Sequence, residues 1–291
     1  MTVAVTGASG HLGRLVAEGL LAALAPQDVV LITRTPDNLA DLAARGADVR
    51  HGDFDVPVSL GAAFAGVDRL LLISGDAIGA RVAQHSIAIR AAVDAGVRYI
   101  AYTSIGNPSD DNPAAAVPDH RATEDALRDS GVAWTFLRNG IYADLQLDAA
   151  AGAIATGTLL TNTGNGRNAY VTRADLAAAT VAVLTTQGHE GKTYDLTGPD
   201  ALDAQDLAAI YSELGRTPIE VAHIDDQGWI DAMVDHAGMP AELAHILATF
   251  GAAQRQGYSA VVTPTLERLT GRPPTSLREF LSARRDALVV A

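Results

Sequence analysis

VAVTGASGHLG, running from Val3 to Gly13, decides the fold. Val3–Val5 is a short apolar run of the kind that forms a buried strand. A glycine-spaced turn follows directly, and then a stripe at helical spacing: Leu12, Leu15, Val16, Leu20, Ala23 and Leu24. Strand, glycine turn and helix in this order form the dinucleotide-binding fingerprint. Gly7 allows the tight turn, Gly10 lets the backbone approach a pyrophosphate, and Gly13 lets the helix pack closely on the strand. Ser9, His11 and Leu12 complete the cradle, where the first N–H groups of the helix and its positive dipole end face the phosphates. There is no Gly-Lys-Ser/Thr ending, which argues against a nucleotide-hydrolysing P-loop.

Further apolar runs lie at Val29–Ile32, Ala47–Val49, Leu70–Ile73, Tyr99–Tyr102 and Trp134–Leu137. They are apolar at almost every position, as strands covered on both faces are. Helical patterns separate them. One opens at Thr35-Pro36-Asp37 with Thr35 as cap candidate and stops at Gly46, and later ones stop at Gly96 and Gly131. The expectation is an α/β protein: a Rossmann doubly wound parallel sheet in the order 3-2-1-4-5-6, with a smaller, mostly helical C-terminal subdomain. Residues 1–141 read as the NADP-binding core. Residues 142–291 read as interleaved sheet-completing segments and a substrate subdomain. Within them GTLLTNTGNGRN (157–168) reads as a loop, Arg173–Leu184 as a helix, Lys192–Leu196 as a strand, and 203–250 as mostly helical.

The chain has 291 residues, 48% of them apolar and 19% charged, which excludes disorder as the main reading. Its 34 acidic and 21 basic residues give a net charge of −13, and a surface that acidic repels nucleic acid. No cysteine is present, so disulfides, thiolate catalysis and Cys-bound metal are excluded. The histidines show no metal-ligand spacing. No apolar run approaches the ~20 residues of a membrane-spanning helix. MTVAVTG lacks the basic start of a signal peptide, and a soluble cytoplasmic protein is expected.

Ile32-Thr33-Arg34 follows the second strand run. An NAD enzyme places a carboxylate here for the ribose 2′-hydroxyl, whereas a guanidinium suits a 2′-phosphate. NADP(H) is therefore favoured over NAD(H), with no flavin and no metal. A merely solvated arginine fits the same residues. Asp53, with Phe54 beside it, is placed to meet the adenine amino group; capping of the next helix by Asp53 or Asp55 is the other reading. Short-chain dehydrogenases pair a Tyr with a Lys one helical turn on. The helix that should carry this pair reads Asp119-His120-Arg121-Ala122-Thr123-Glu124, so His120 holds the Tyr slot and Glu124 the Lys slot. Lys192 is the only lysine in the chain. Ser104 stands where a catalytic serine would stand. An acceptor that needs little acid catalysis, such as a quinone, fits this centre. His120 is a proton-donor candidate or simply a helix residue near the cleft.

The segments TGASGHLG (6–13), LLLISG (70–75), AQH (83–85), YIAYTS (99–104), DSGVAWTFLRNGIY (129–142), TRADLAAA (172–179), GHEGKTYDLTG (188–198) and GRPPTSLREFL (271–281) resemble, in this order, the NmrA-like atypical short-chain dehydrogenases. Within that family the likeness is greatest to the type 2 NADPH:quinone oxidoreductases. The resemblance implies that Ser74, Gly75, Thr103, Ser104, Asn139, Gly140 and Tyr142 line the nicotinamide end. It also implies a histidine at position 120 in place of the tyrosine. His120, Ser104 and Tyr142 are the catalytic candidates it leaves.

Two functions remain open on this sequence. One is hydride transfer from NADPH to a small-molecule quinone or related aromatic acceptor, with secondary metabolism as a setting. Trp229, Met233, Phe250 and Tyr142 would then form a flat apolar pocket, or else belong to ordinary core. The other is an NADP(H)-sensing regulator that docks on a partner protein. Monomer and homodimer are both compatible with the chain.

Overall fold

The computed structural model describes residues 1–288. Seven strands form one parallel sheet: β1 (Val3–Thr6), β2 (Val29–Thr33), β3 (Asp48–His51), β4 (Arg69–Leu72), β5 (Tyr99–Ile105), β6 (Ala133–Asn139) and β8 (Lys192–Leu196). Their order is β3-β2-β1-β4-β5-β6-β8. The expected six-strand order is present, and the Lys192–Leu196 strand extends it beside β6.

Alternation along the strands accounts for the two layers of helices. Val3, Val5, Leu31, Leu71, Ala101 and Leu137 point into one core. It is closed by α1 (His11–Ala23) and α7 (Arg173–Thr185). Ala4, Val30, Ile32, Leu70, Leu72, Ile100, Tyr102 and Phe136 point into the other. There α3 (Val58–Phe64), α4 (Arg81–Asp94) and α5 (Val117–Asp129) close it. Strands buried on both faces need apolar side chains at every position, hence the unbroken apolar runs. On the first side α1 and α7 approach so closely that a Cβ on Gly19 would lie 2.8 Å from Val181 Cγ2.

Helix ends follow the glycines. Gly46, Gly96 and Gly131 have φ of +96°, +84° and +75°, the left-handed region where a side chain is strained. The Thr35 expectation is corrected. Pro36–Leu39 forms a short 3-10 turn before α2 (Ala40–Ala44), and the Thr35 side chain caps nothing. Its hydroxyl instead accepts from Asn38 Nδ2 at 3.0 Å.

The second half contains a small sheet that the sequence did not reveal. After α6 (Gln146–Thr156), β7 (Thr158–Thr161) pairs in parallel with β9 (Glu220–His223). GTLLTNTGNGRN is thus a strand and then a loop, and 203–250 is three helices with a strand among them: α8 (Ala204–Gly215), α9 (Asp226–Asp235) and α10 (Ala241–Arg255). The loop reading of 157–168 is corrected at its start, 203–250 is mostly helical as expected, and the two strands went unseen for one reason. β7 and β9 are half-buried, four-residue strands whose partner lies about sixty residues away, so no local pattern marks them. The chain closes with α11 (Thr265–Thr270), α12 (Leu277–Ser282) and α13 (Arg285–Leu288). Asp175 at the start of α7 ties this tail down. Its carboxylate accepts from Thr172 Oγ1 at 2.8 Å and the Thr275 N–H at 2.9 Å, and it pairs with Arg272 at 2.7 Å.

Among the described residues, no helix is long and apolar enough to cross a membrane. Nor does any group of three or more His, Asp or Glu side chains there assemble a metal site.

Candidate active site

The strand order reverses between β1 and β4, and the candidate site lies along the carboxyl ends of the strands on both sides of that point. Gly7 turns the chain with φ of +61°. Its carbonyl accepts from the Gly10 N–H at 2.9 Å. Gly10 is the N-cap residue of α1 and supplies no side-chain cap. The N–H groups of His11, Leu12 and Gly13 therefore have no intrahelical partner, and they point out of the strand edge toward the cleft. Gly13 is sterically obligatory: a Cβ there would lie 2.2 Å from the Gly7 carbonyl oxygen. Hydroxyls knit the strand tips together. Thr6 Oγ1 donates to the Leu71 carbonyl at 3.1 Å and accepts from the Ile73 N–H at 3.0 Å. Thr103 Oγ1 accepts from the Ser74 N–H at 2.9 Å.

Beside the glycine turn, Ser9 Oγ and Thr33 Oγ1 are 2.7 Å apart, and Thr33 also accepts from the Thr35 N–H at 3.2 Å. Thr33 is buried. Its hydroxyl is thus part of the wall. Arg34 next to it is exposed and makes no ion pair among the described residues. Asp53 and Phe54 follow β3 at the same edge. Neither Asp53 nor Asp55 caps α3, whose N-cap is Pro57 with no side-chain bond. The Asp53 carboxylate accepts from the Asp55 N–H at 3.0 Å, and Asp55 accepts from Gln84 at 2.8 Å.

At the other end stand the three catalytic candidates. His120 is buried. Arg81 carries only donors, so its Nη1, 3.0 Å from His120 Nε2, must donate. Burial, then the Arg81 charge, push the His120 imidazole down to about 3. A neutral ring that accepts at Nε2 carries its hydrogen on Nδ1, and that nitrogen donates to Tyr102 Oη at 2.8 Å. His85, fully buried on α4, repeats the pattern. It accepts from the Gly75 N–H at Nε2 (3.3 Å) and faces Thr123 Oγ1 from Nδ1 (2.9 Å). Burial brings it down to about 4, with Arg81 again contributing. The Thr123 hydroxyl passes its own hydrogen to the Asp119 carbonyl at 2.8 Å. The network holds the turn after β4 at two points, because Asp119 Oδ2 also accepts from the Gly79 N–H at 2.7 Å. This geometry counts against His120 as proton donor: the ring is neutral near pH 7 and its hydrogen is turned into the core.

Neutrality of both rings has a measurable consequence. Their ordinary value is 6.5, so the unfolded chain takes up two protons that the native state refuses until about pH 4 and about pH 3. Stability is complete above pH 6.5 and falls as pH drops below it, by up to ~1.4 kcal/mol per unit for each ring. Calorimetric melts should show Tm dropping steadily from pH 6.5 to 5. A flat profile there would mean that the rings are not held neutral.

Ser104 is buried, and its hydroxyl donates to Glu124 Oε1 at 2.7 Å. Glu124 also accepts from Arg138 at 3.0 and 2.8 Å and from Arg128 at 2.9 Å. Burial alone would raise this carboxyl, but the bonds from Arg138 and Ser104 outweigh it and hold it below the usual range. Tyr142 remains. It is half-buried, its hydroxyl is 3.5 Å from the donating Asn139 Nδ2, and Arg173 sits 4.9 Å over its ring. Burial raises its pKa, so the phenol keeps its proton. Asn139 Oδ1, buried at the tip of β6, has no partner. Gly140 next to it is tightly enclosed, with the Ala169 and Leu196 carbonyls 3.2 and 3.3 Å from an added Cβ.

The flat pocket expected of four residues is not formed. Trp229 and Met233 pack with Ile230 and Ala248 between α9 and α10. Phe250 packs with Ile105 and Val117. Tyr142 lies against the core under α7. His85, the last residue of the AQH segment, was not among the expected site residues, because its role depends on bonds to Gly75 and Thr123 from elsewhere in the chain.

A doubly wound parallel sheet, a glycine cradle at a helix N-terminus and a line of polar groups on the strand tips define a dinucleotide-binding Rossmann protein. A family model described as NAD(P)H-binding matches residues 7–187. The chain is 37% identical to quinone oxidoreductase 2 of Escherichia coli K12, over 96% of this chain and 97% of that protein. Its fold superposes on the crystal structure of the E. coli NADPH-dependent quinone oxidoreductase in complex with NADPH with a TM-score of 0.94, at 37% identity, covering 97% of this chain and 99% of that one. A Citrobacter triphenylmethane reductase follows at 0.92, with 35% identity over 98% of this chain and all of that one. The chain belongs to the NAD(P)H-binding, NmrA-like oxidoreductases.

Proposed function

We propose that the protein reduces a quinone or related conjugated aromatic acceptor with NADPH. The observation that carries this reading is the pairing of an unengaged Arg34 at the cradle with a reaction centre whose acids are all spent or neutral.

The residues fit the cofactor. The glycine turn leaves a cradle that a Cβ at Gly13 would fill, and three unpaired N–H groups point into it for the pyrophosphate. Arg34 is placed to meet a 2′-phosphate, while Ser9 and Thr33 form a neutral wall where a carboxylate would repel that group. Asp53 and Phe54 border the adenine end. The partnerless Asn139 Oδ1 and the tight Gly140 backbone suit the amide end of a nicotinamide. Bound NADPH would supply the hydride.

For the acceptor, this chain offers orientation and little acid. His120 is a neutral anchor and Glu124 is an ion-paired carboxylate. Tyr142 holds the one phenolic proton among the catalytic candidates, polarised by Asn139 at its oxygen. A weak acid suffices where the reduced product is a phenol or a stabilised aromatic. The names of the relatives, a quinone oxidoreductase and a triphenylmethane reductase, are of that acceptor class.

Arg34→Ala tests the cofactor assignment. A charge-assisted hydrogen bond to a phosphate is worth about 1.5–3 kcal/mol, so NADPH affinity should fall about 10- to 100-fold while NADH affinity changes less than about twofold. Equal losses for both would remove the 2′-phosphate role. Turnover is tested by following NADPH oxidation with benzoquinones, naphthoquinones and larger polycyclic quinones. Tight NADPH binding without oxidation by any of them would favour the sensor reading instead.

A further inference from the structure

Glu124 occupies the position at which related dehydrogenases place a lysine, and it reverses the hydrogen-bonding sense of the serine beside it. Its carboxylate accepts three guanidinium N–H bonds, two from Arg138 and one from Arg128, which fixes it as the ionised, acceptor-only form. The fourth bond, 2.7 Å to Ser104, must then be donated by the serine. The Ser104 hydrogen is committed to Glu124, and among the described residues nothing donates to Ser104 Oγ. What remains at the tip of β5 is a buried oxygen with free lone pairs. Lysine at position 124 would have left the opposite: a serine hydrogen free for a carbonyl.

We propose that Ser104 serves this site as a hydrogen-bond acceptor, recognising a hydroxyl on a bound molecule, and that Glu124 is the residue that sets this polarity. The assignment rests on the NADPH-dependent reductase reading above and narrows its substrate class. A plain ketone, whose reduction builds charge on a carbonyl oxygen, finds no serine hydrogen here. An acceptor or cofactor that presents its own hydroxyl finds a partner. Two hydroxyls have the required chemistry: one on the ribose of the bound dinucleotide, and a phenolic one on the acceptor.

The experiment uses the full chain and the variants Ser104→Ala and Ser104→Thr. NADPH affinity is measured by fluorescence. Steady-state kinetics are measured with a 1,4-naphthoquinone carrying a phenolic hydroxyl on its benzenoid ring and with the methyl ether of that quinone. If the ribose is recognised, Ser104→Ala weakens NADPH binding about tenfold; if the acceptor is, the variant erases a preference of about tenfold in kcat/KM for the hydroxyl compound. In either case threonine restores the parent behaviour, which a purely structural role would not require. Turnover slowed at least about 100-fold on both quinones, with KM and NADPH affinity unchanged, would overturn the proposal, because the serine would then be donating to the reacting oxygen. Unchanged kinetics and affinity throughout would overturn it too. Failure of the parent to reduce any quinone would count against the reductase reading, and NADPH affinity alone would then test Ser104: a loss in Ser104→Ala restored by threonine supports the acceptor role, and an unchanged affinity overturns it.

Discussion

Gly13→Ala is expected to abolish measurable dinucleotide binding and to lower the melting temperature as well. The added Cβ would lie 2.2 Å from the Gly7 carbonyl oxygen and 2.9 Å from Ala8 Cα, and both are backbone atoms that cannot turn aside. Relief requires α1 to lift off the β1 turn. That movement strips the contacts of Leu12, Val16 and Leu20, all buried in the core beneath, at a cost of about 1–3 kcal/mol. It also swings the first-turn N–H groups away from the position a pyrophosphate would occupy. Gly10→Ala separates the two effects. Its Cβ would stand 3.2 Å from the same oxygen, a clash that a shift of a few tenths of an ångström relieves, so the fold should survive while the approach to phosphate is obstructed. Fluorescence titration with NADPH alongside a thermal melt reads both. If folded Gly13→Ala bound NADPH with parental affinity, the glycine turn would not be the phosphate cradle.

The second large effect is on stability. Glu124→Ala should cost about 3 kcal/mol, the lower end for breaking a buried ion pair, because water can still reach the abandoned Arg138 and Arg128, whose side chains are 24% and 40% exposed. For a chain of this size that corresponds to a Tm roughly 6–12 °C lower. The contribution depends on pH in a defined sense. The native carboxyl titrates below its ordinary value, so its stabilisation is present above about pH 4.5 and is lost as pH falls through the native pKa. The gap between parent and variant should therefore be widest near neutral pH and close in acid. A constant gap would show that Glu124 stabilises by packing rather than by charge.

The Glu124 cluster shows how far the sequence reaches. Its four-residue spacing from His120 placed it on the reaction-centre face of a helix, in the slot of an absent lysine, and that much was visible in DHRATE. Its partners were not: Arg138 comes from a strand fourteen residues away in sequence, and only the β5–β6 register, Ser104 opposite Arg138, brings both to one carboxylate. The glycine turn and Arg34 were legible because strand, turn and helix are contiguous. His120 was found by position, yet its character was hidden, since neutrality follows from burial and from Arg81 on a different helix. Trp229, Met233 and Phe250 were recognised as apolar aromatic and thioether side chains. Composition shows that such residues seek burial, but not which neighbours they find, and they join two separate clusters.

The route of the chain through β7, β8 and β9 bears on how the protein is made. β7 belongs to the small sheet, β8 returns to the large one, and β9 completes the small one. A ribosome that has released only the first 141 residues has not yet synthesised the seventh strand, and the exposed edge of β6 must wait for it. The small sheet waits longer still, because β7 emerges about sixty residues before the strand it pairs with. Neither part can be finished and set aside while the other is translated. Such long-range closures slow folding and leave strand edges open to other chains in the meantime. A cut between the two halves should accordingly yield fragments that associate or aggregate rather than two independent domains. Beyond the boundary read at residue 142 the chain leaves the large sheet for the small one, and it crosses back to the large one before the small one is complete.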